Sequence, residues 1–168
     1  MFRTPKIIRF QKWLFSAGIF LLFAGCQKDD LCPQDTETTP MLVIEFYDAE
    51  DPSSLKAVSN LVVIASDKES RFLGPTTANQ VAIPLKTNET FTEFRFISSS
   101  GTPNENEDVV TFTYDPTPVY LNRACGYKIA YRNLDVTVTN DDDNWIQGEI
   151  VLQENVENET AAHISFTH

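Results

Sequence analysis

Glycine is scarce in this chain, with six in 168 residues, and only Gly74, Gly101, Gly126 and Gly148 lie beyond residue 25. These four are isolated. They build no phosphate-cradling loop, no G-x-G-x-x-G turn and no G-x-S-x-G elbow, which excludes nucleotide-binding and α/β-hydrolase readings. Histidine is scarcer still: His163 and His168 are the only two. A zinc site wants three or four nitrogen or sulfur ligands, so no metal site is expected from them. Nothing beside His163, Ser165 included, supports a general-base role. Positive charge is also short, with 13 Lys and Arg against 24 Asp and Glu, a net −11. Nucleic acid and anionic membrane surfaces both require basic patches, so neither is expected as a partner. An acidic surface of this kind keeps a secreted domain soluble.

No apolar run is long enough to cross a bilayer. The longest, WLFSAGIFLLFA over residues 13–24, would span about 18 Å as a helix, well short of the ~30 Å hydrocarbon core. It follows a leader in which Arg3, Lys6, Arg9 and Lys12 are the charged residues. A basic start, a short apolar run and small residues before a cut describe a cleaved secretory signal peptide over residues 1–25. An uncleaved membrane helix is the lesser alternative. Beyond the cut, nine basic residues face 24 acidic ones, a net −15 over 143 residues. That length suits one domain and allows a proper core.

The cut falls before a cysteine. Ala24-Gly25-Cys26 resembles a bacterial lipobox, in which the cysteine thiol takes a diacylglycerol and becomes the new N-terminus. Phe23 departs from the Leu, Val or Ile usual there; Leu21 and Leu22 keep the apolar character. The resemblance implies permanent anchoring through several acyl chains (palmitate among them), since one chain alone binds marginally. Gln27-Lys28-Asp29-Asp30 resembles the export signal of surface lipoproteins in Bacteroidota, a lysine and an acidic pair just after the lipidated cysteine. That resemblance implies an outer-membrane protein facing the exterior; a periplasm-facing anchor is the alternative.

With Cys26 lipidated, Cys32 and Cys125 are the two cysteines left. Thiol pairs outside the cytoplasm tend to oxidise, so a Cys32–Cys125 disulfide is expected, against two free thiols. Residues 26–40 are polar, carry Pro33 and Pro40, and read as a lipidated flexible tether.

Residues 41–168 are a succession of β signals without a convincing helix. Strands are expected at 41–47, at 55–66 with a bend near Ser59-Asn60, and at 81–85, where Pro84 suits an edge. Residues 67–80 read as a loop, with a short strand at 71–73 as an option. Further strands follow at 90–97, 109–114, 119–122, 126–132, 134–139, 145–153 and 162–168, with turns at 98–108, DPTP (115–118) and NDDDN (140–144). Nine or ten short strands separated by turn signals predict an all-β fold, a single antiparallel β-sandwich, Ig-like or similar. A closed barrel is the alternative. Phe46, Phe94, Phe96, Phe112, Ile129, Val136, Ile150 and Phe166 are the expected core.

Cys32-Pro33, Thr39-Pro40, Leu42, Ile44, Phe46-Tyr47-Asp48, Ala124-Cys125-Gly126-Tyr127, Asn133-Leu134, Trp145-Ile146 and His163-Ile164 come in an order that resembles an uncharacterised Bacteroidota lipoprotein family, the domain of unknown function 6452. The resemblance implies a location and a fold and supplies no mechanism. Local chemistry adds little. Asp141-Asp142-Asp143 and the Asp48-Glu50-Asp51 cluster are Ca²⁺ candidates without EF-hand spacing, and turns use Asp for local hydrogen bonds anyway. Pairs of carboxylates are too plentiful to single out a glycosidase. Trp145 is expected in the core before a sugar-stacking role. Asn88-Glu89-Thr90 and Asn158-Glu159-Thr160 fit the glycosylation sequon by coincidence in a bacterial chain. No catalytic residue and no cofactor are expected. The sequence therefore points to a non-catalytic binding module, held to the membrane by its N-terminal lipid, with an unidentified protein or glycan partner. An accessory envelope subunit facing the periplasm is the alternative.

Overall fold

A computed structural model describes residues 31–67 and 71–168. Two compact units are distinguished. The smaller comprises Met1–Thr36, of which residues 31–36 are described, together with Leu121–Gly126. The larger comprises Glu37–Tyr120 and Tyr127–His168.

Nine strands run β1 (Leu42–Tyr47), β2 (Val58–Ala65), β3 (Arg71–Ala78), β4 (Gln80–Ile83), β5 (Phe91–Ser98), β6 (Asn106–Asn122), β7 (Gly126–Val138), β8 (Gly148–Val151) and β9 (Ile164–Thr167). They form a four-stranded sheet ordered β4-β1-β9-β8 and a five-stranded sheet ordered β3-β2-β5-β6-β7. This is an all-β sandwich of two open sheets, as the strand spacing predicts. It is not wholly antiparallel: β1 and β9 pair parallel, with Ile44 opposite Ile164 and Phe46 opposite Phe166. Parallel neighbours need a long crossover, and here the connection is the rest of the domain.

The core is aromatic and joins both sheets. Phe94, Phe96 and Phe112 of the five-stranded sheet meet edge to face at 6.3–6.5 Å. Phe46 and Phe166 of the other sheet lie 6.1 Å apart. Phe96 meets Phe166 across the sandwich at 5.8 Å. Such edge-to-face pairs each add about 0.5–1.5 kcal/mol beyond their burial.

Four expectations need correcting. The loop reading of 67–80, with its optional strand at 71–73, catches only the start of β3, an edge strand exposed along most of its length, whose Gly-Pro-Thr-Thr sequence carries no apolar alternation. The DPTP turn does not exist, because β6 runs straight through it. The β5 ladder ends near Thr113, and Tyr114 N donates to Thr90 O. Amides two apart on a strand point the same way, so Pro116 and Pro118 turn their missing N–H groups toward the side that β5 has vacated and remove no ladder bond. The expected break between 126–132 and 134–139 is a bend inside one strand: Asn133 takes φ 52° within β7. Ile150 is not core. It is 59% exposed on the edge strand β8, while Ile146 and Val151 turn inward. The bend near Ser59-Asn60 is present, with Asn60 at φ 46° and a register shift between Val58 and Leu61. β4 is an edge strand, as Pro84 suggests.

One buried carboxylate fixes the entry to β8. Asp108 on β6 is fully buried and accepts from Ile146 N at 2.8 Å and Trp145 N at 3.3 Å. Burial raises its pKa, and the two amide bonds oppose that. Asp108→Ala leaves those amides without an acceptor and is expected to cost about 2–4 kcal/mol, with Asp108→Asn losing less. Urea midpoints of the two variants check this, and a loss under ~1 kcal/mol for the alanine variant contradicts it.

Candidate functional site

The cleft is built from the core outward. Tyr131 and Tyr114 stack edge to face at 5.0 Å. Tyr131 Oη donates to Leu85 O at 3.0 Å, and Tyr114 Oη donates to Lys86 O at 3.0 Å. Thr92 Oγ1 accepts from Lys86 N at 3.0 Å and bonds Tyr114 Oη. Burial raises the Tyr114 phenol and pushes Tyr131 up to about 12, so both stay neutral. The segment after β4 is thereby fixed at the Leu85 and Lys86 carbonyls.

That segment forms one wall of a cleft of about 460 Å³, within the size range of ligand sites. Pro84, Leu85, Lys86, Thr87 and Asn88 face Arg71 and Phe72 of β3, with Phe94 beneath. Lys86 Nζ lies 3.0 Å from Asp67 Oδ2 and 3.0 Å from Glu89 Oε2, and 5.6 Å from the centre of the Phe91 ring. Its hydrogen bonds to Glu89, then to Asp67, hold its pKa above the ordinary lysine value. A lysine serving as base or Schiff-base nucleophile needs the opposite shift. Lys86 is therefore held as a cation between Asp67 and Glu89. Only its i,i+3 relation to Glu89 is legible in the sequence; Asp67 and Phe72 reach it through the pairing of β2 with β3.

Neither histidine reaches this cleft. His163 is buried, and its Nδ1 accepts from Val43 N at 3.1 Å, so the ring is the neutral Nε2–H tautomer. It also bonds the backbone at Asn158, and Glu159 is the charged group near it. Desolvation lowers its pKa below 6.5. The unfolded chain then takes up a proton that the fold refuses, so stability is full above about pH 6.5 and falls as pH drops below it. His168, packed on Trp145 at 5.7 Å, is lowered by burial too and acts in the same direction. His163→Asn keeps an acceptor near the Val43 amide and is expected to flatten the loss between pH 7.5 and 5.5. Denaturation midpoints at the two pH values check it, and an unchanged slope contradicts it.

The other candidates resolve locally. Trp145 is half-buried, donates from Nε1 to Phe96 O at 3.1 Å and packs on Phe46 at 6.2 Å, so it belongs to the core. Asp141 Oδ1 accepts from Asp143 N, and Asp48 Oδ1 from Glu50 N, which are turn bonds. Among the described residues no group of three or more His, Cys, Asp and Glu is placed to hold a metal ion.

Cys26, Gln27, Lys28, Asp29 and Asp30 lie outside the described residues. Cys32 and Cys125 are joined by a disulfide, with Cα atoms 4.8 Å apart. Cys125 stands in the connection between β6 and β7, where Asn122 Oδ1 accepts from Ala124 N at 2.9 Å and Cys125 N at 2.8 Å. Gly126 then takes φ +73°, which a side chain rarely adopts. In the larger unit, buried Lys128 pairs with Glu37 and donates to Glu157 O at 3.1 Å, while Thr39 Oγ1 accepts from Ile129 N. The stretch 37–40 read as tether is thus partly docked on β7.

A family model described as a family of unknown function, DUF6452, matches residues 60–168. The match starts inside β2, yet β1 lies between β4 and β9 in the four-stranded sheet, so the folded unit begins upstream of the matched stretch. No curated protein and no solved structure matches the chain.

Proposed function

The chain belongs to the DUF6452 family, whose activity is unknown, and from that premise we propose that it is a lipid-anchored outer-membrane lipoprotein whose sandwich faces the exterior and works by contact with a protein or glycan. The observation that carries this is the run from residue 21 to residue 30. Leu21-Leu22-Phe23-Ala24-Gly25 places Cys26 for lipidation, and Gln27-Lys28-Asp29-Asp30 supplies the outward signal. The Cys32–Cys125 disulfide supports an oxidising compartment. The cleft supports a contact role through Lys86, a cation held between two carboxylates.

Protease treatment of intact cells tests the orientation. Digestion of the domain without cell lysis is the expected result. Protection in intact cells, with digestion after outer-membrane permeabilisation, assigns the protein instead to a periplasm-facing accessory role.

A further inference from the structure

We propose that the β6–β7 hairpin end docks on the membrane that holds the protein's own lipid, with Tyr120 and Tyr127 seated among the headgroups. This rests on the lipid-anchor reading above. The two rings pack edge to face at 5.2 Å, yet Tyr120 is 58% and Tyr127 67% exposed. Their mutual contact is a built apolar feature in contact with water. Tyrosine suits the bilayer interface because its ring is apolar and its hydroxyl is polar.

Charge and chain length name the occupant. Between Asp115 and Lys128 the only charged residue is Arg123, in a chain carrying net −15 beyond the cut. The stretch thus carries none of the chain's acidic residues, and its one charge is positive. The disulfide then sets the distance. Cys32 is six positions after Cys26, a reach of about 20 Å at full extension. Cys125 lies 4.8 Å beyond, Cα to Cα, and Tyr127 follows two residues later. Tyr127 is thus held within about 30 Å of the lipidated residue, however the tether bends. Without the bond, the tether to Pro40 alone reaches about 45–50 Å. The bond therefore confines the charge-poor, tyrosine-bearing end to the neighbourhood of the bilayer.

The test uses the full lipidated protein in vesicles of phosphatidylethanolamine and phosphatidylcholine, which carry no net charge, compared with the soluble Cys26→Ser protein. Hydrogen exchange is read over peptides covering residues 116–128, and mass spectrometry records the lipid on Cys26. The expected result is about fivefold or greater slowing at the hairpin end on vesicles, absent in Cys26→Ser. A lipidated Tyr120→Ser/Tyr127→Ser protein should stay in the vesicles and lose that slowing. Both tyrosines are exposed, so the double variant keeps the fold. Equal exchange with and without vesicles, in a protein whose lipid is confirmed, overturns the docking and leaves the anchor standing. Slowing that persists in the double variant also overturns it. Absence of lipid on Cys26 overturns both.

Discussion

Cys26→Ser is expected to move the protein from the membrane pellet into the soluble fraction almost completely. Each buried CH₂ contributes ~0.8 kcal/mol to membrane residence, and two or three acyl chains make release negligible on the cellular timescale. With the lipid gone, two exposed tyrosines are too small a contact to hold a domain of net −15 beyond the cut to a bilayer. Fractionation with a high-salt wash reads the effect, and mass spectrometry of the parent protein reads the lipid. A serine variant that stays in the washed pellet removes the anchor and everything built on it. Replacing Lys28, Asp29 and Asp30 by serine should have a separable consequence. The protein stays anchored but is no longer digested on intact cells.

The second large effect concerns the disulfide. Cys32 and Cys125 close a loop with a sequence separation of 93. In the chain-entropy account, such a closure stabilises by about 4–5 kcal/mol by restricting the unfolded chain. A domain of this size has about 5–15 kcal/mol in total, so the double variant Cys32→Ser/Cys125→Ser loses a large fraction. Chemical denaturation of the oxidised protein, the same protein with reductant, and the double variant should give two matching low midpoints and one high one. A difference below ~1 kcal/mol shows that the loop is already constrained in the unfolded state or by other contacts. The Lys128–Glu37 pair and the Thr39–Ile129 bond are the contacts to remove next.

Much of the fold was legible because the strands that build the core alternate. TFTEFRFI declares its face, and Phe94 and Phe96 are buried where the period places them. Legibility fails where tertiary context reverses a local rule. Pro116 and Pro118 read as a turn because proline ends most ladders; here they line a vacated edge. Ile150 reads as core because it is in phase with Ile146, but β8 is an edge strand whose outer residues have nothing above them. β3 has no period at all and exists because β2 presents an open edge to it. The parallel β1–β9 pair is a relation between opposite ends of the domain, which no local pattern encodes. The cleft is hidden for a similar reason. Asp67, Phe72, Lys86 and Phe94 are ordinary residues on four separate segments, and their meeting depends on strand order. The disulfide was within reach of the sequence because counting cysteines and naming a compartment requires no geometry.

The position of that bond also decides how the protein bears load. On the proposed anchor and contact role, a domain that grips a partner would be pulled against its lipid. Tension rising from Cys26 reaches Cys32 and passes across the sulfur bridge into Cys125, so it enters the fold at the connection between β6 and β7. Residues 33–40 lie inside the covalent loop and stay slack. β1, the strand on which β4 and β9 are both laid, is then not in the line of force. Reduce the bond and the same pull first meets the Glu37–Lys128 and Thr39–Ile129 contacts on β7, and past them it arrives at Leu42, in the central part of the four-stranded sheet. The disulfide therefore acts as a mechanical bypass, and the rupture force of the anchored domain should track its redox state.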